Sequence, residues 1–301
     1  MMMKNKTAVI VVPHEDDMEI LGYHPVAHLI KKGFHIVEIV MTDGRFGTDN
    51  RQFSGERLKR IRDKEIRCAA KAYGTDDAGN DKVELVLMGY CDGFLPFDNR
   101  SVRKLRAKIQ EYDPMVTIGM DPFFAVDWHH DHINTGRNYY FALKTMAPKE
   151  RPRAMYFIQS FKNNNKVSLG SFELQEKTLN CHKSQMSPYK NYMITRITKI
   201  LYYLFSFKSR AKPMAGVRTV EFDAGKNTIT KLKDRIYYSM MINSVNTTKQ
   251  HYQEMYKPLP ELGDGPDKID PRDFDRDAAR KLSKQYFGLE DYEFDPHGID
   301  I

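Results

Sequence analysis

The stretch Thr7-Ala8-Val9-Ile10-Val11-Val12 decides the fold class of this chain. Its apolar residues run without a polar break from Ala8 to Val12, which is the pattern of a β-strand covered on both faces. Residues 21–32 follow with helical spacing, and the pattern stops at Gly33. The start of the chain therefore predicts a strand followed by a helix, the unit from which parallel sheets are built.

The same alternation continues along the chain. Further apolar runs predict strands at residues 35–41, 83–88, 115–120 and 154–160, and amphipathic stretches predict helices at 56–73, 102–112 and 134–146. We therefore expect an α/β fold with a Rossmann-like, doubly wound, mainly parallel sheet flanked by helices. No G-x-G-x-x-G sequence follows the first strand, so a dinucleotide site is not expected.

Composition predicts one large domain with an extension. The 301 residues are 41% apolar, which is enough to bury a sizeable core. We place the domain at residues 1–225 and a mixed helical C-terminal extension, packed on that domain, at residues 226–301. Within the extension, helical stretches such as 231–256 alternate with Pro- and Asp-rich links. We expect it to shape a pocket or a subunit contact rather than to carry a second site.

The charge pattern bears on the class of partner. The net charge of +7 is spread along the chain, and no basic helix or aromatic-interleaved basic stripe predicts nucleic-acid binding. An anionic small molecule or membrane surface is favoured instead. Residues 197–207 are rich in Leu, Tyr and Phe and have basic neighbours, so they fit either an amphipathic turn on an anionic membrane or core and lid packing. The second interpretation is favoured, and the segment is too short to span a bilayer.

The cysteines and the N-terminus bear on the compartment. Cys68, Cys91 and Cys181 are odd in number and far apart, with no C-x-x-C, which predicts neither a disulfide framework nor a thiolate zinc site. The apolar run near the N-terminus is too short for a secretory signal, and we interpret it as the first strand. A reducing cytoplasm is the expected location.

Two acidic and histidine-rich clusters carry the chemistry. His14-Glu15-Asp16-Asp17 follows the first predicted strand, and His129-His130-Asp131-His132 follows the fourth after a short loop. His14, Asp17 and His132 predict three ligands that leave one coordination position open, as catalytic zinc sites do. Ferrous iron accepts the same ligand set. Asp16 would point differently from Asp17 and would act as a general base on water.

These residues resemble a known family, the zinc-dependent LmbE-like or PIG-L-like de-N-acetylases, which act on N-acetylglucosaminyl phosphatidylinositol and related sugars. The family's His-Pro-Asp-Asp and His-Pro-Asp-His patterns are similar to the two clusters. Other landmarks match in order over roughly residues 7–190: Thr42-Asp43-Gly44, Gly47, Arg62, Glu65, Ala69-Ala70, Gly74, Asp92-Gly93 and His182-Lys183-Ser184-Gln185. Glu15 and His130 replace prolines of the family pattern, and Met18 stands where many members have an acidic residue.

The resemblance implies a role for each matched residue. His14, Asp17 and His132 would hold zinc, with Fe²⁺ or another divalent metal as the alternative. Asp16 would be the base. His129 would stabilise an oxyanion or protonate the leaving amine, and Asp131 would orient a neighbouring imidazole. Two further residues, Arg62 and Asp92, would bind substrate.

The expected reaction is therefore hydrolysis of the acetamide of an N-acetylated amino sugar or glycoconjugate, with release of acetate. Two alternatives stay open. The first is a hydrolase that uses the same site on a different amide or ester. The second is a non-catalytic carbohydrate-binding protein of the same fold.

Each residue pattern also has a purely structural interpretation. His14 and Asp17 fit an N-terminal helix cap. His24 and His28, four residues apart, fit a helix surface better than a metal site. Arg62, with Glu65 and Arg67, also fits a solvated charged face, and His182 fits a packed histidine as well as a pocket residue. The aspartates between residues 264 and 277 lack the EF-hand spacing and predict a solvated surface.

Overall fold

The computed structural model describes residues 6–48, 54–126, 129–209 and 212–227, together with Leu232. Seven strands form one sheet, namely β1 (Thr7–Val12), β2 (His35–Thr42), β3 (Val83–Tyr90), β4 (Val116–Met120), β5 (Ala154–Ile158), β6 (Asn165–Ser168) and β7 (Met214–Thr219). Their order across the sheet is β3-β2-β1-β4-β5-β7-β6. Strands β1 to β5 pair in parallel, and β7 pairs antiparallel with both β5 and β6.

Helices cover both faces of this sheet. They are α1 (Asp17–Ile20), α2 (Tyr23–Lys31), α3 (Glu56–Ala72), α4 (Asn99–Glu111), α5 (His130–Lys144), α6 (Phe172–Leu179), α7 (Pro188–Tyr192) and α8 (Thr198–Ser209), with a π-helical turn at Met193–Ile197. The predicted α/β, mainly parallel, Rossmann-like architecture is confirmed. No helix within the described ranges is long and apolar enough to cross a membrane.

The first strand divides the core in two because successive side chains of a strand point to opposite faces. Val9 and Val11 belong to the cluster under α4 and α5, whereas Ala8, Ile10 and Val12 belong to the cluster under α2 and α3. All five side chains are at most 2% exposed. This burial on both faces is why an unbroken apolar run predicted the strand correctly.

The strand order reverses between β1 and β4, since β2 and β3 lie on one side of β1, and β4 and β5 lie on the other. In doubly wound folds the crevice at such a reversal, beyond the carboxyl ends of the strands, is where ligands bind. Both histidine-rich clusters follow these two strands. The topology therefore brings them to one place although more than a hundred residues separate them.

Several element boundaries differ from the sequence prediction. The predicted helix at 21–32 corresponds to α2 (Tyr23–Lys31), and the separate short helix α1 (Asp17–Ile20) before it was not predicted. At Gly22, between the two helices, a Cβ would lie 2.6 Å from Ile10 Cδ1. Helix α5 begins at His130 rather than at residue 134, because His129 caps it. The short antiparallel strands β6 and β7 were not predicted, since each depends on pairing with a distant partner.

The prediction that no cysteines pair is wrong. Cys68 on α3 and Cys181, just after α6, form a disulfide with 5.6 Å between their Cα atoms. Their distance along the chain hid the pairing, because α3 and α6 pack together in the fold. Disulfides persist mainly in oxidising compartments, so cysteine usage no longer supports the predicted reducing location.

Most of the predicted extension, at 226–301, lies outside the described residues; only residues 226, 227 and Leu232 belong to the described part. The predicted helix at 231–256 and the aspartates at 264–277 fall in the same undescribed stretch. The division into residues 1–225 and 226–301 therefore stays a prediction.

Candidate metal and active site

The loop after β1 supplies two adjacent donors. The backbone N–H of His14 donates to Asp17 Oδ2 at 3.0 Å, and the Nδ1 atom of the same histidine lies 3.0 Å from that oxygen. Both residues are buried. Asp17 is the first residue of α1, and the N-cap, Asp16, makes no side-chain capping bond. The interpretation of His14 and Asp17 as a helix cap is therefore not supported.

Helix α5 brings the third donor. His132 lies in the first turn of α5, and its Nε2 is 3.5 Å from Asp17 Oδ2. One ligand atom from each of His14, Asp17 and His132 lies within 4.8 Å of the others. His14, His129 and Asp131 meet the same criterion, so the two sets overlap at His14.

Two carboxylates lie near Nε2 of His14, the ring nitrogen that does not face Asp17. This atom lies 3.1 Å from Asp92 Oδ1 and 3.3 Å from Asp131 Oδ2. The backbone N–H groups of Gly93 and Leu95 donate to Asp131, and that of Phe46 donates to Asp92. Metal-binding histidines commonly donate their second ring nitrogen to a carboxylate, which fixes the tautomer and orientation of the ring. The donor set and its supports thus fit a divalent cation.

The electrostatics of the centre favour cations. Burial opposes protonation of His14, but hydrogen bonds to Asp131, Asp17 and Asp92 outweigh it and raise the pKa of this histidine well above its usual value. Burial also works against ionised Asp17, yet the charges of His132 and His14 hold the pKa of this carboxyl low. The site therefore concentrates negative charge around imidazole groups, an arrangement that a bound cation satisfies.

Arg62 of α3 contacts the histidine-rich cluster that follows β1. Its Nη2 donates to Asp16 Oδ1 at 2.8 Å, and its Nε lies 2.9 Å from Glu15 Oε2. The residue is only 2% exposed, so the interpretation as a solvated charged face is wrong for Arg62. Burial raises the pKa of Glu15 to about 7 although Arg62 pulls it down. Arg67, in contrast, is exposed and pairs with Asp63 one turn away.

His129 lies beside both candidate metal-ligand histidines, His14 and His132. Its ring centroid is 4.9 Å from that of His14 and 5.0 Å from that of His132. Its Nδ1 accepts the backbone N–H of Asp131 at 3.2 Å. Burial, reinforced by the charges of His14 and His132, lowers the pKa of His129 to about 4. A neutral ring that accepts at Nδ1 carries its proton on Nε2, which is a hydrogen-bond donor.

A second buried cluster, formed by Glu19 of α1 with Tyr73 and His182, was not predicted from the sequence. His182 Nε2 lies 3.3 Å from Glu19 Oε2, and both side chains are fully buried. The hydroxyl of Tyr73 donates to Glu19 Oε1 at 3.1 Å. His182 is therefore a packed residue that joins the segment after α6 to α1. Glu19 lies between the apolar residues Met18 and Ile20, and this charged residue was the feature of the sequence that could have indicated the cluster.

The structure thus gathers all eight predicted site residues at the reversal of the strand order: His14, Asp16, Asp17, Arg62, Asp92, His129, Asp131 and His132. Arg62 and Asp92, which were predicted to bind substrate, are both buried against other site residues. His24, predicted to lie on a helix surface, is instead buried among the rings of Tyr23, Phe172 and Tyr202.

A family model matches the part of the chain that contains this centre. Residues 9–143 match the family model described as PIG-L: GlcNAc-PI de-N-acetylase. Diacetylchitobiose deacetylase of Thermococcus kodakarensis is 24% identical over 131 residues, which are 44% of this chain and 46% of that protein. The match thus spans about half the length of this relative.

Two solved structures share the fold. The N,N'-diacetylchitobiose deacetylase of Pyrococcus horikoshii, complexed with an inhibitor, aligns with a TM-score of 0.61 and 22% identity over 71% of this chain and 83% of its own. GalB, the 4-carboxy-2-hydroxymuconate hydratase of Pseudomonas putida KT2440, aligns with a TM-score of 0.59 and 14% identity over 75% of this chain and 98% of its own. The fold alone therefore does not select a reaction.

The matched family segment contains both histidine-rich clusters and every residue of the centre described above. The family resemblance expected from the motifs is confirmed, because residues 9–143 of this chain match the PIG-L family model and are similar to a deacetylase.

Proposed function

We propose that this protein is a metal-dependent hydrolase that removes the N-acetyl group from an amino sugar or glycoconjugate and releases acetate. The observation that carries the proposal is the convergence of His14, Asp17 and His132 beside Asp16 at the strand-order reversal. The match to the PIG-L family model and the similarity to a diacetylchitobiose deacetylase support the choice of reaction.

His14, Asp17 and His132 would hold the cation. Two imidazoles and one carboxylate are a set that Zn²⁺ accepts, and Fe²⁺ or another divalent metal fits it as well. When bound, such a cation polarises a carbonyl oxygen and lowers the pKa of water, which the hydrolysis of a stable amide requires. Asp92 and Asp131 would keep the His14 ring in place by accepting from its Nε2.

Asp16 is our candidate for the general base. It adjoins the ligand Asp17, and one of its oxygens accepts from Arg62. This bond fixes the carboxylate, so Arg62 would act by positioning the base; a direct contact of Arg62 or Asp92 with substrate stays a prediction. A fixed carboxylate near the reacting water takes its proton without first reorienting.

His129 would act on the amide carbonyl, whereas Asp16 would act on the attacking water. Its neutral ring donates from Nε2, which suits a hydrogen bond to the oxygen that gains negative charge when water adds to the amide carbonyl. The backbone N–H of Asp131 holds Nδ1 and so selects this tautomer. Asp131 thereby supports both His14, through its carboxylate, and His129, through its backbone.

We propose a small N-acetylated sugar or glycoconjugate as substrate and no nucleic acid as partner. Two other functions compete with this proposal. A hydrolase of a different amide or ester would use the same centre, and a carbohydrate-binding protein would use the fold without catalysis. The presence of a complete donor set and a positioned base favours an enzyme over a binding protein.

Acetate release from a panel of N-acetylglucosaminides tests the proposal. We expect zinc-loaded protein to release acetate, and Asp16→Asn to lower kcat about a thousandfold while keeping its metal content. The exposed Asp77→Asn variant is the matched control and should keep full activity. Metal binding without acetate from any member would favour a different amide or ester, and absence of metal binding would overturn the proposal.

A further inference from the structure

The segment from α7 to α8 presents an unusual surface. Six large apolar or aromatic side chains on it are between 38% and 71% exposed: Tyr189, Tyr192, Met193, Ile200, Tyr203 and Leu204. We call this set the tyrosine stripe. Monomeric soluble proteins rarely expose a contiguous apolar patch without a binding role.

The tyrosine stripe occupies one face of an almost continuous helix. Its members recur at intervals of three, four and seven residues, and such intervals place side chains on the same side of a helix. The opposite face is anchored to the domain, since Asn191 and Thr195 are buried and Asn191 donates to Glu176 O and Asn180 Oδ1. The stripe therefore faces away from the core.

The segment that carries the stripe has charges of one sign, although Glu176 and Glu173 of α6 pair with its Arg196 and Lys199. Residues 177–220 contain nine Lys and Arg and no Asp or Glu, so the positive charge is concentrated here, and the expectation of an even spread is wrong. Within this stretch, Lys190 lies beside the stripe at α7, and Lys199 lies on α8. A partner surface with negative charge and an apolar interior matches this combination.

We propose that the tyrosine stripe, with its basic surround, lies on an anionic lipid surface. Tyrosine suits the boundary between headgroups and acyl chains because its ring is apolar and its hydroxyl is polar. Leu204 and Ile200 supply purely apolar contact, and the lysines attract anionic headgroups. The helix lies in the plane of the membrane, with Asn191 and Thr195 toward the protein. This inference does not depend on the proposed reaction.

Vesicle co-sedimentation of the full chain tests this surface. We expect binding to vesicles of phosphatidylcholine mixed with phosphatidylglycerol, weak binding to phosphatidylcholine alone, and loss of binding at high salt. Leu204→Ser should weaken binding about tenfold. Its matched control, Leu87→Ser, changes an exposed leucine on β3 and should bind as the wild type does.

A charge pair separates electrostatic attraction at the stripe from general basicity. Lys199→Gln should weaken binding about fivefold, whereas Lys71→Gln on α3 removes the same charge elsewhere and should change little. Equal effects of the two lysine variants, or unchanged binding of Leu204→Ser, would overturn the proposal.

Failure of the wild type to bind anionic vesicles would also overturn it, and two measurements would then name the occupant. A wild-type dimer that Leu204→Ser converts to a monomer, seen by light scattering, would assign the stripe to a second copy. Zero-length cross-links from Lys190 or Lys199 to the acidic residues between 261 and 300, formed without lipid, would assign it to the chain's own C-terminal segment.

Discussion

The Nη2 atom of Arg62 donates to Asp16 Oδ1 at 2.8 Å, within a site where the arginine is only 2% exposed. The same guanidinium contacts Glu15 through Nε at 2.9 Å. One buried cation on α3 thus holds two consecutive carboxylates of the loop after β1. The expected base depends on a helix that is remote from it in sequence.

Replacing Arg62 tests this dependence. Arg62→Met should lower kcat about a hundredfold and cost about 3–5 kcal/mol of stability, because it leaves Glu15 and Asp16 buried without their partner. Arg62→Lys keeps the charge but not the two-sided geometry, and should recover part of the stability and little of the activity. A variant with normal kcat and a raised KM would instead assign Arg62 to substrate binding.

Asp92 should control metal affinity rather than chemistry. Asp92→Asn removes the charge that faces His14 Nε2 at 3.1 Å, and loss of such a support typically weakens metal binding about 10- to 100-fold. Calorimetric titration with Zn²⁺ measures the affinity, and saturating metal should restore most of the activity. Unchanged affinity would return Asp92 to the role of substrate ligand.

The Cys68–Cys181 disulfide should stabilise the domain because it closes a loop across 113 residues. Cys68→Ser should lower the free energy of unfolding in urea by about 2–4 kcal/mol. Reduction by dithiothreitol should lower the free energy of unfolding of the wild type by the same amount and should not change that of Cys68→Ser. Cys91→Ala removes the buried cysteine that lies outside the disulfide, and the stability of this variant should still fall when the reductant is added.

Gly136 should be needed for the position of α5. A Cβ at this residue would lie 2.8 Å from Met120 O and 2.9 Å from Pro122 N, both of which are backbone atoms. Gly136→Ala should therefore push α5 away from the end of β4, destabilise the fold by about 1–3 kcal/mol and weaken Zn²⁺ binding through His132. Thermal unfolding and metal titration measure the two effects, with the exposed Arg103→Ala on α4 as control.

The His182–Glu19 pair should make stability depend on pH. Burial alone would lower the pKa of His182, but the hydrogen bond and charge of Glu19 outweigh it and raise this pKa above 6.5. Because the pKa of His182 is raised in the folded state, the His182–Glu19 pair contributes its full stabilisation below pH 6.5. This stabilisation is lost as the pH rises through the folded-state pKa of His182. The stability advantage of wild type over His182→Gln should therefore shrink across that interval. A constant difference in urea unfolding across the interval would contradict this assignment.

The sequence predicted the features that depend on local pattern. Strands β1 to β5 and helix α3 agree with it to within a few residues, since burial on one or both faces imposes the apolar period that the sequence displays. The motif residues of the centre were predicted from their chemistry and order. Their donors are the side chains that a metal requires, whatever the fold that surrounds them.

Tertiary structure decided what depends on contacts between distant segments. The roles of Arg62 and Asp92 beside Asp16 and His14, the Cys68–Cys181 pair and strands β6 and β7 all require partners that lie far along the chain. By itself, the sequence determined the fold class and the metal-ligand chemistry, because periodicity and side-chain type are local properties. Only the fold determined which buried charges neutralise each other, because distance in space is set by how the helices pack on the sheet.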